Sequence, residues 1–339
     1  MSTVTSHESL KYAGLDFMWI ELTSRCNLAC IHCYAESSPK AGSSDTMKPK
    51  DYERVIREAA AQGCRKLQFI GGEPTLVREL PEYIELAKRL GVEHIEVFTN
   101  ATFVTKDLLE CFVRNQVHVA TSFYSWNAGT HDAITTKRGS QQLTLNTLKR
   151  YISAGLRVRA GIILMDGNRD HAEKTADYLR ESGVTQVGFD NIRPFGRGVK
   201  ETKVPSNMRN LCGNCWKQRI CISPTGEVSP CIMSKTWSVG SVHEASLEHI
   251  LISPQLRDIR LKIDQATSER HHERRSGRSL VAGCYPDADC TPKESCKPDD
   301  KCGPDTAPCH PDWCSPDMGE CMPDDTCHPT DPCNPTKGW

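Results

Sequence analysis

An α/β fold built from parallel βα units is what this 339-residue chain predicts, and three observations predict it. Short apolar runs alternate with amphipathic stretches from residue 17 to about residue 198. Gly63, Gly91, Gly155 and Gly183 each stand just past a helical stretch, where a left-handed cap residue is expected. The residue types that carry chemistry fall at the ends of the predicted strands, where parallel α/β folds bind their ligands.

Taken in order, strands are predicted at 17–22, 66–70, 94–99, 118–123, 157–165 and 186–192, and helices at 49–62, 80–90, 106–114, 141–154 and 170–182. Six strands are too few for a full eight-fold barrel; a partial, open barrel and a doubly wound sheet both fit. This core spans 15–200, after an N-terminal extension of residues 1–14. A second small module, 201–263, has its own cysteines, a turn at Ser223-Pro224-Thr225-Gly226 and one helix near 246–261. Residues 264–283 are charged and polar and read as a solvated linker, with the adjacent His271 and His272 better explained as part of that spacer than as metal ligands. From Cys284 to the end, 284–339, nine units each begin Cys-Xaa-Pro. Proline at that frequency excludes helix, and the near absence of aliphatic residues leaves little to bury. This low-complexity tail is therefore expected to be extended and mobile unless a metal orders it.

A net charge of −1 offers no electrostatic case for nucleic acid or an acidic membrane surface. No apolar run approaches the roughly 20 residues needed to span a bilayer. The first residues lack the charged-then-apolar order of a secretory signal, so a cytoplasmic protein is expected. The 18 cysteines then point to metal binding rather than to disulfides.

Cys26, Cys30 and Cys33 fall within eight residues, directly after the first predicted strand. Three thiolates on a strand-to-helix loop can hold three irons of a [4Fe–4S] cluster and leave the fourth open, and an open coordination site is a working one. A zinc site is the rival, but zinc prefers four ligands and no fourth is near in sequence. The second strand runs into Gly71-Gly72-Glu73-Pro74, where the glycines would let a ligand approach the backbone and Glu73 would offer a carboxylate to an amino group. Asn100 ends the third strand and Ser122 the fourth, so all of these share one rim. Cys64 and Cys111 lie in or beside predicted helices and read as buried, inert thiols.

The spacing C-x-x-x-C-x-x-C followed by an aromatic residue, with G-G-E-P after the next strand, resembles the radical S-adenosylmethionine superfamily. The resemblance covers residues from about 15 to 200 and implies a partial (β/α)6 TIM-like barrel. It also implies that Cys26, Cys30 and Cys33 ligate a [4Fe–4S] cluster whose open iron is chelated by the methionine end of S-adenosylmethionine. One electron would cleave the sulfonium to a 5′-deoxyadenosyl radical that abstracts a substrate hydrogen. His32 would contact the adenine, Gly71, Gly72 and Glu73 would meet the methionine amino group, and Asn100 and Ser122 would line the pocket.

Cys215, ten residues, Gly226, four residues, Cys231, with Cys221 between, resembles the opening of the auxiliary-cluster domain called SPASM. The run Arg193-Pro194-Phe195-Gly196-Arg197-Gly198 resembles the linker that joins the two parts. The second half of the SPASM pattern is not recognisable. Either Cys212, Cys215, Cys221 and Cys231 hold one auxiliary [4Fe–4S] cluster, as in the shorter "twitch" variant, or Cys284 replaces Cys212; a four-cysteine zinc knuckle is the rival. The tail admits three roles: a thiol-rich leash, a metal-binding segment, or a stretch that engages or mimics a substrate peptide. The resemblance implies oxidative modification of a ribosomally made peptide, with an electron donor such as flavodoxin or ferredoxin. The alternative is dehydrogenation or epimerisation of a sugar, aminocyclitol or other small metabolite, and a non-catalytic cluster carrier stands further off.

Overall fold

The computed structural model describes residues 14–275, with the side chains of the last helix described to Ser268. Residues 1–13 and the Cys-Xaa-Pro tail, Cys284 included, lie outside the described residues.

The six strands form where the apolar runs predict them: β1 (Phe17–Glu21), β2 (Lys66–Ile70), β3 (His94–Phe98), β4 (His118–Ser122), β5 (Val158–Leu164) and β6 (Gln186–Asn191). All pair in parallel with their sequence neighbours, in the order β6-β5-β4-β3-β2-β1. That order has no reversal point. Right-handed crossovers taken always in the same direction put every helix on one side and curl the sheet into part of a barrel. A doubly wound sheet would need the order to reverse, and it does not.

The outer layer comprises α1 (Pro49–Ala61), α2 (Leu80–Arg89), α3 (Lys106–Arg114), α4 (Ala128–Thr135), α5 (Ser140–Ser153) and α6 (Ala172–Glu181). On α1, Tyr52, Val55, Ile56 and Ala59 recur at helical spacing and are buried. A residue such as Ile56 contributes roughly 1.5–3 kcal/mol by leaving water.

Strand alternation sorts the two faces. Met18, Ile20, Leu67, Phe69, Ile95, Val97, Ala160 and Ile162 belong to the large apolar core shared with the helices. The alternating positions Glu21, Gln68, Glu96 and Arg159 face the other way, and all four are buried. The concave face thus carries a polar, charged stretch, held by Arg159 donating to both Glu96 oxygens at 2.7 Å and by Gln68 donating to Glu96, beside an apolar one that includes Phe17, Trp19 and Ile70.

After β6 come a short helix α7 (Gly198–Thr202) and three strands, β7 (Arg219–Ile222), β8 (Glu227–Ser229) and β9 (Gly240–Ser241). β7 pairs in parallel with β1, placing Cys221 opposite Trp19, and β8 and β9 follow antiparallel. The predicted Ser223–Gly226 turn is the hairpin between β7 and β8, with Gly226 at φ +82°. The cysteine-rich module therefore continues the core sheet past β1.

Two local expectations are corrected. Where one helix near 246–261 was expected there are two, α8 (Leu247–Leu251) and α9 (Pro254–Arg275). α9 runs on through 264–275, where a solvated linker was expected, and buries Ile263 and Thr267 on the way. α4 was not foreseen: Gly129 and three threonines or β-branched positions weaken its helical signal.

Among the described residues no helix is long and apolar enough to cross a membrane.

Candidate functional site

β1 ends at Glu21, and the chain turns into the three-cysteine loop under several constraints. The Asp45 carboxylate accepts from the Thr23 hydroxyl at 2.7 Å and from the Ser24 N–H at 3.0 Å. The Cys26 N–H donates to Ser38 O at 3.1 Å, so the loop returns on itself. The N–H groups of Ala29 and Ile31 donate to Thr135 O and Ile134 O at the end of α4. The helix that the sequence did not announce thus forms one wall of the loop.

Cys26 is buried, and Cys30 and Cys33 are half-buried. Burial, then Glu73, pushes the Cys26 thiol up to about 11. Burial, then Cys33 and Cys26, pushes Cys30 up to about 12. Cys26 and Cys30, held as thiols chiefly by burial, fit with Cys33 a site completed by a cationic metal centre, which removes the protons of its ligands. Cys26 Sγ also accepts from Leu28 N–H at 3.4 Å and from the Asn100 amide at 3.6 Å.

The Gly71-Gly72-Glu73-Pro74 turn lies against this loop, and its glycines make a backbone contact that the sequence did not announce. A Cβ on Gly71 would lie 2.6 Å from Thr23 O, and one on Gly72 only 2.2 Å from Arg25 O. The bare backbone is used to bring β2's exit against β1's exit, and the Gly72 and Glu73 N–H groups donate to Thr23 O and Arg25 O at 2.6 and 2.9 Å.

Glu73 is 1% exposed. Its Oε1 accepts from Thr75 N–H, Thr75 Oγ1 and Thr99 Oγ1 at 3.1, 2.7 and 2.6 Å, while Oε2 accepts only from Asn100 N–H at 2.7 Å. Burial raises its carboxyl despite these bonds, and among the described residues no cation pairs with it. A buried carboxylate with a free lone pair and no counter-charge fits an ammonium brought by a ligand.

Asn100 ties the rim together, donating to Asn27 Oδ1 at 2.7 Å and accepting from Thr102 N–H and Oγ1 at 2.9 and 2.7 Å. Asn27 in turn donates to Thr102 Oγ1 at 2.8 Å. Ser122 ends β4 and lies within hydrogen-bonding reach of the Tyr124 hydroxyl, which also reaches Cys30. His32 stands edge-on to Tyr124 with ring centroids 5.1 Å apart. Its Nδ1 is buried without a partner, and burial followed by the Arg197 charge lowers it to about 4, so the ring is neutral. Tyr124, Asn27 and Arg197 were not named as site residues from sequence; Tyr124 had a positional signal two residues beyond Ser122, and Arg197 lay in the run 193–198 read as the linker.

The second group gathers as expected. Cys215, Cys221 and Cys231 are buried in one apolar cluster with Phe17, Trp19, Phe195, Leu211 and Ile263, and Cys212 packs against it. Cys215 Sγ lies 2.9 Å from Cys231 Sγ, Cys212 interacts with both, and Cys221 is within electrostatic reach of Cys231. All nine described cysteines are free thiols. Among the described residues no three His, Cys, Asp or Glu side chains converge on a single ion; a [4Fe–4S] cluster spreads its ligands over separate irons and needs no such convergence.

Comparison with known proteins places both halves. The Radical SAM superfamily profile matches residues 20–179, and the SPASM iron–sulfur cluster-binding domain matches 212–284, a span that reaches Cys284. The subtilosin biosynthesis protein AlbA of Bacillus subtilis is 28% identical over 307 residues, covering 80% of this chain and 66% of that protein. A probable GTP 3′,8-cyclase of Saccharolobus solfataricus is 27% identical over 201 residues, covering 58% of this chain and 63% of that one. The chain thus spans just under two thirds of the length of these relatives. Among solved structures, Streptococcus suis SuiB bound to S-adenosylmethionine shares the fold with a TM-score of 0.60 at 15% identity, over 73% of this chain and 68% of SuiB. These two domains imply [4Fe–4S] clusters, and the chain belongs to the radical S-adenosylmethionine superfamily, in the branch that carries a SPASM domain.

Proposed function

We propose that the protein cleaves S-adenosylmethionine reductively and uses the resulting radical to modify a ribosomally made peptide oxidatively. The observation that carries the first half is the meeting of Cys26, Cys30 and Cys33 with the unpaired Glu73 carboxylate at one rim of the half barrel. When bound, the cluster and S-adenosylmethionine supply a 5′-deoxyadenosyl radical. Cys26, Cys30 and Cys33 would hold the cluster. Glu73 Oε2 would take the methionine ammonium, which relieves the cost of burying its charge. Asn100 and Ser122 would fix the pocket wall, and neutral His32 would present its buried Nδ1 toward the adenine. Cys212, Cys215, Cys221 and Cys231 would hold the auxiliary cluster; Cys284 remains the substitute for Cys212, because the SPASM match extends to it.

The peptide half is supported by the reach of the likeness. The match to AlbA, a bacteriocin biosynthesis protein, covers 80% of the chain and so extends beyond the core, whereas the match to the GTP cyclase covers 58%. SuiB has also been solved bound to its precursor peptide SuiA, with a TM-score of 0.58 to this chain at 14% identity. A small electron carrier such as flavodoxin or ferredoxin would supply the reducing electron, and the protein would work in the cytoplasm.

The test is anaerobic reconstitution of the full chain, reduction, and addition of S-adenosylmethionine. Release of 5′-deoxyadenosine is expected, and its absence from cluster-loaded protein would refute the proposal; Cys30→Ala is expected to abolish it. Coexpression with short peptides encoded beside the gene, read by mass spectrometry, tests the substrate: loss of about two hydrogens' mass supports oxidative modification.

A further inference from the structure

The segment that leaves β6, residues 193–198, crosses behind the three-cysteine loop in close backbone contact. Arg197 N–H donates to Cys33 O at 3.0 Å. Its guanidinium then spans the loop, Nε donating to Cys30 O and Nη2 to Ser37 O, both at 2.8 Å. Cys30 O also accepts from the Cys33 N–H at 3.2 Å, and Cys33 O from the Glu36 N–H at 3.2 Å, so Arg197 completes the hydrogen bonding of the turn from Cys30 to Ser37. The glycines on either side make this approach possible. A Cβ on Gly196, at φ +51°, would lie 2.3 Å from Tyr34 O and 2.7 Å from Cys33 O. One on Gly198 would lie 2.2 Å from Arg193 O. Two residues before Arg197, Phe195 is buried in the apolar cluster of Cys215, Cys221 and Cys231 and meets Trp237 edge-on at 6.5 Å.

We infer that Arg197 is a positioning residue for the first cluster: a two-pronged clamp that sets the shape of the Cys30–Cys33 turn from behind, anchored through Phe195 to the auxiliary cysteines. The inference rests on Cys26, Cys30 and Cys33 being the cluster ligands, which is the reading proposed above. Its physical basis is independent of that reading. A planar guanidinium presents donors in a fixed fork, which matches two carbonyls held apart by a turn; a lysine ammonium cannot span both. Three donors on the carbonyls of Cys30, Cys33 and Ser37 restrict the loop before any metal arrives. Groups behind the ligands orient them and tune the centre, and their loss costs 10- to 100-fold in metal affinity or activity.

The experiment compares the wild-type chain with Arg197→Met, Arg197→Lys and Gly196→Ala. In metal-free protein, hydrogen exchange at the Cys33 and Glu36 amides is expected to rise at least about 10-fold in Arg197→Met, the equivalent of one lost charged hydrogen bond. Exchange at β1 amides should stay unchanged, which shows the fold intact. After anaerobic reconstitution, the signal that responds to S-adenosylmethionine by electron paramagnetic resonance should be lost, or should need about 10- to 100-fold more ligand, while auxiliary-site iron is retained. Arg197→Lys keeps the charge without the fork, so it should show the same fast exchange and weakened ligand response as Arg197→Met. Gly196→Ala should reproduce the fast exchange with Arg197 still present. Wild-type exchange and wild-type ligand response in Arg197→Met would overturn the clamp. If wild-type protein itself shows no responsive signal, the cluster reading fails, and the exchange measurement alone decides the clamp.

Discussion

Lys235 of the cysteine-rich module and Glu21 at the end of β1 form an ion pair at 2.6 Å, between the two groups of cysteines. Glu21 is 1% exposed and also accepts from the Tyr34 hydroxyl at 3.3 Å, while the Lys235 ammonium lies 5.5 Å from the Tyr34 ring. Burial works against the Lys235 charge, but Glu21, with the neighbouring Cys221 and Cys33 positions, raises its affinity for a proton above the ordinary lysine value. Lys235→Met would leave the carboxylate buried without a counter-charge. A loss of about 2–4 kcal/mol is expected by urea unfolding of metal-free protein, on the low side for a broken buried pair because part of Lys235 is solvated. Adding Glu21→Gln should recover part of that loss, and an unchanged single variant would show that the pair does not hold the module to the core.

The buried Glu96–Arg159 pair sets an acid limit. Burial alone would raise the Glu96 carboxyl, but the Arg159 charge and hydrogen bonds hold it below its ordinary value. A depressed carboxyl contributes stability that is present above the unfolded value of about 4.3 and is lost as pH falls through the folded one. Glu96→Gln should therefore flatten the acid limb of the stability curve below about pH 4.3, measured by urea unfolding across pH. Arg159→Met should cost about 3–5 kcal/mol at neutral pH by leaving the charge alone.

Glu73 has the opposite sign. Burial raises its carboxyl, so its contribution is full below the unfolded value of about 4.3 and is lost as pH rises through the folded value. Metal-free protein should lose stability from this group as pH climbs past about 4.3, and a bound ammonium should restore it. Glu73→Gln places an amide among the four donors and is expected to cost about 1–3 kcal/mol, with at least about 10-fold weaker S-adenosylmethionine binding by calorimetry. Binding at wild-type strength would remove Glu73 from the cofactor site.

Cys221 separates the two cluster sites. Cys221→Ala should lower the iron content by about four atoms while leaving 5′-deoxyadenosine release measurable, if the second site serves only the substrate side. Loss of release with full retention of iron would contradict that division of labour.

Strand positions were legible because each is a short apolar run ending in a residue with chemistry, as in β2 running into Gly71. The three-cysteine loop and the gathering of Cys212, Cys215, Cys221 and Cys231 were legible for the same reason: spacing along the chain is short compared with the loops that hold them. What was not legible depends on contacts distant in sequence. The packing of Gly71 and Gly72 against the backbone of Thr23 and Arg25, 48 and 47 residues earlier, has no local signal. Arg197 was read only as part of the linker run 193–198, and the contact of its guanidinium with Cys30 O, 167 residues away, has no local signal. α9 outruns the expected linker because Ile263 and Thr267 find a packed surface that no local pattern announces.

The parallel pairing of β7 on β1 has a consequence for anyone who would cut the chain in two. A half barrel has two raw margins, and here one of them is closed by the strand that carries Cys221. Removing everything after residue 205 would uncover the whole hydrogen-bonding margin of β1, beside Phe17 and Trp19, a surface suited to sticking to a second copy. The catalytic half is therefore not a separable cassette, and transplanting the cysteine-rich module between relatives would mean transplanting a seam.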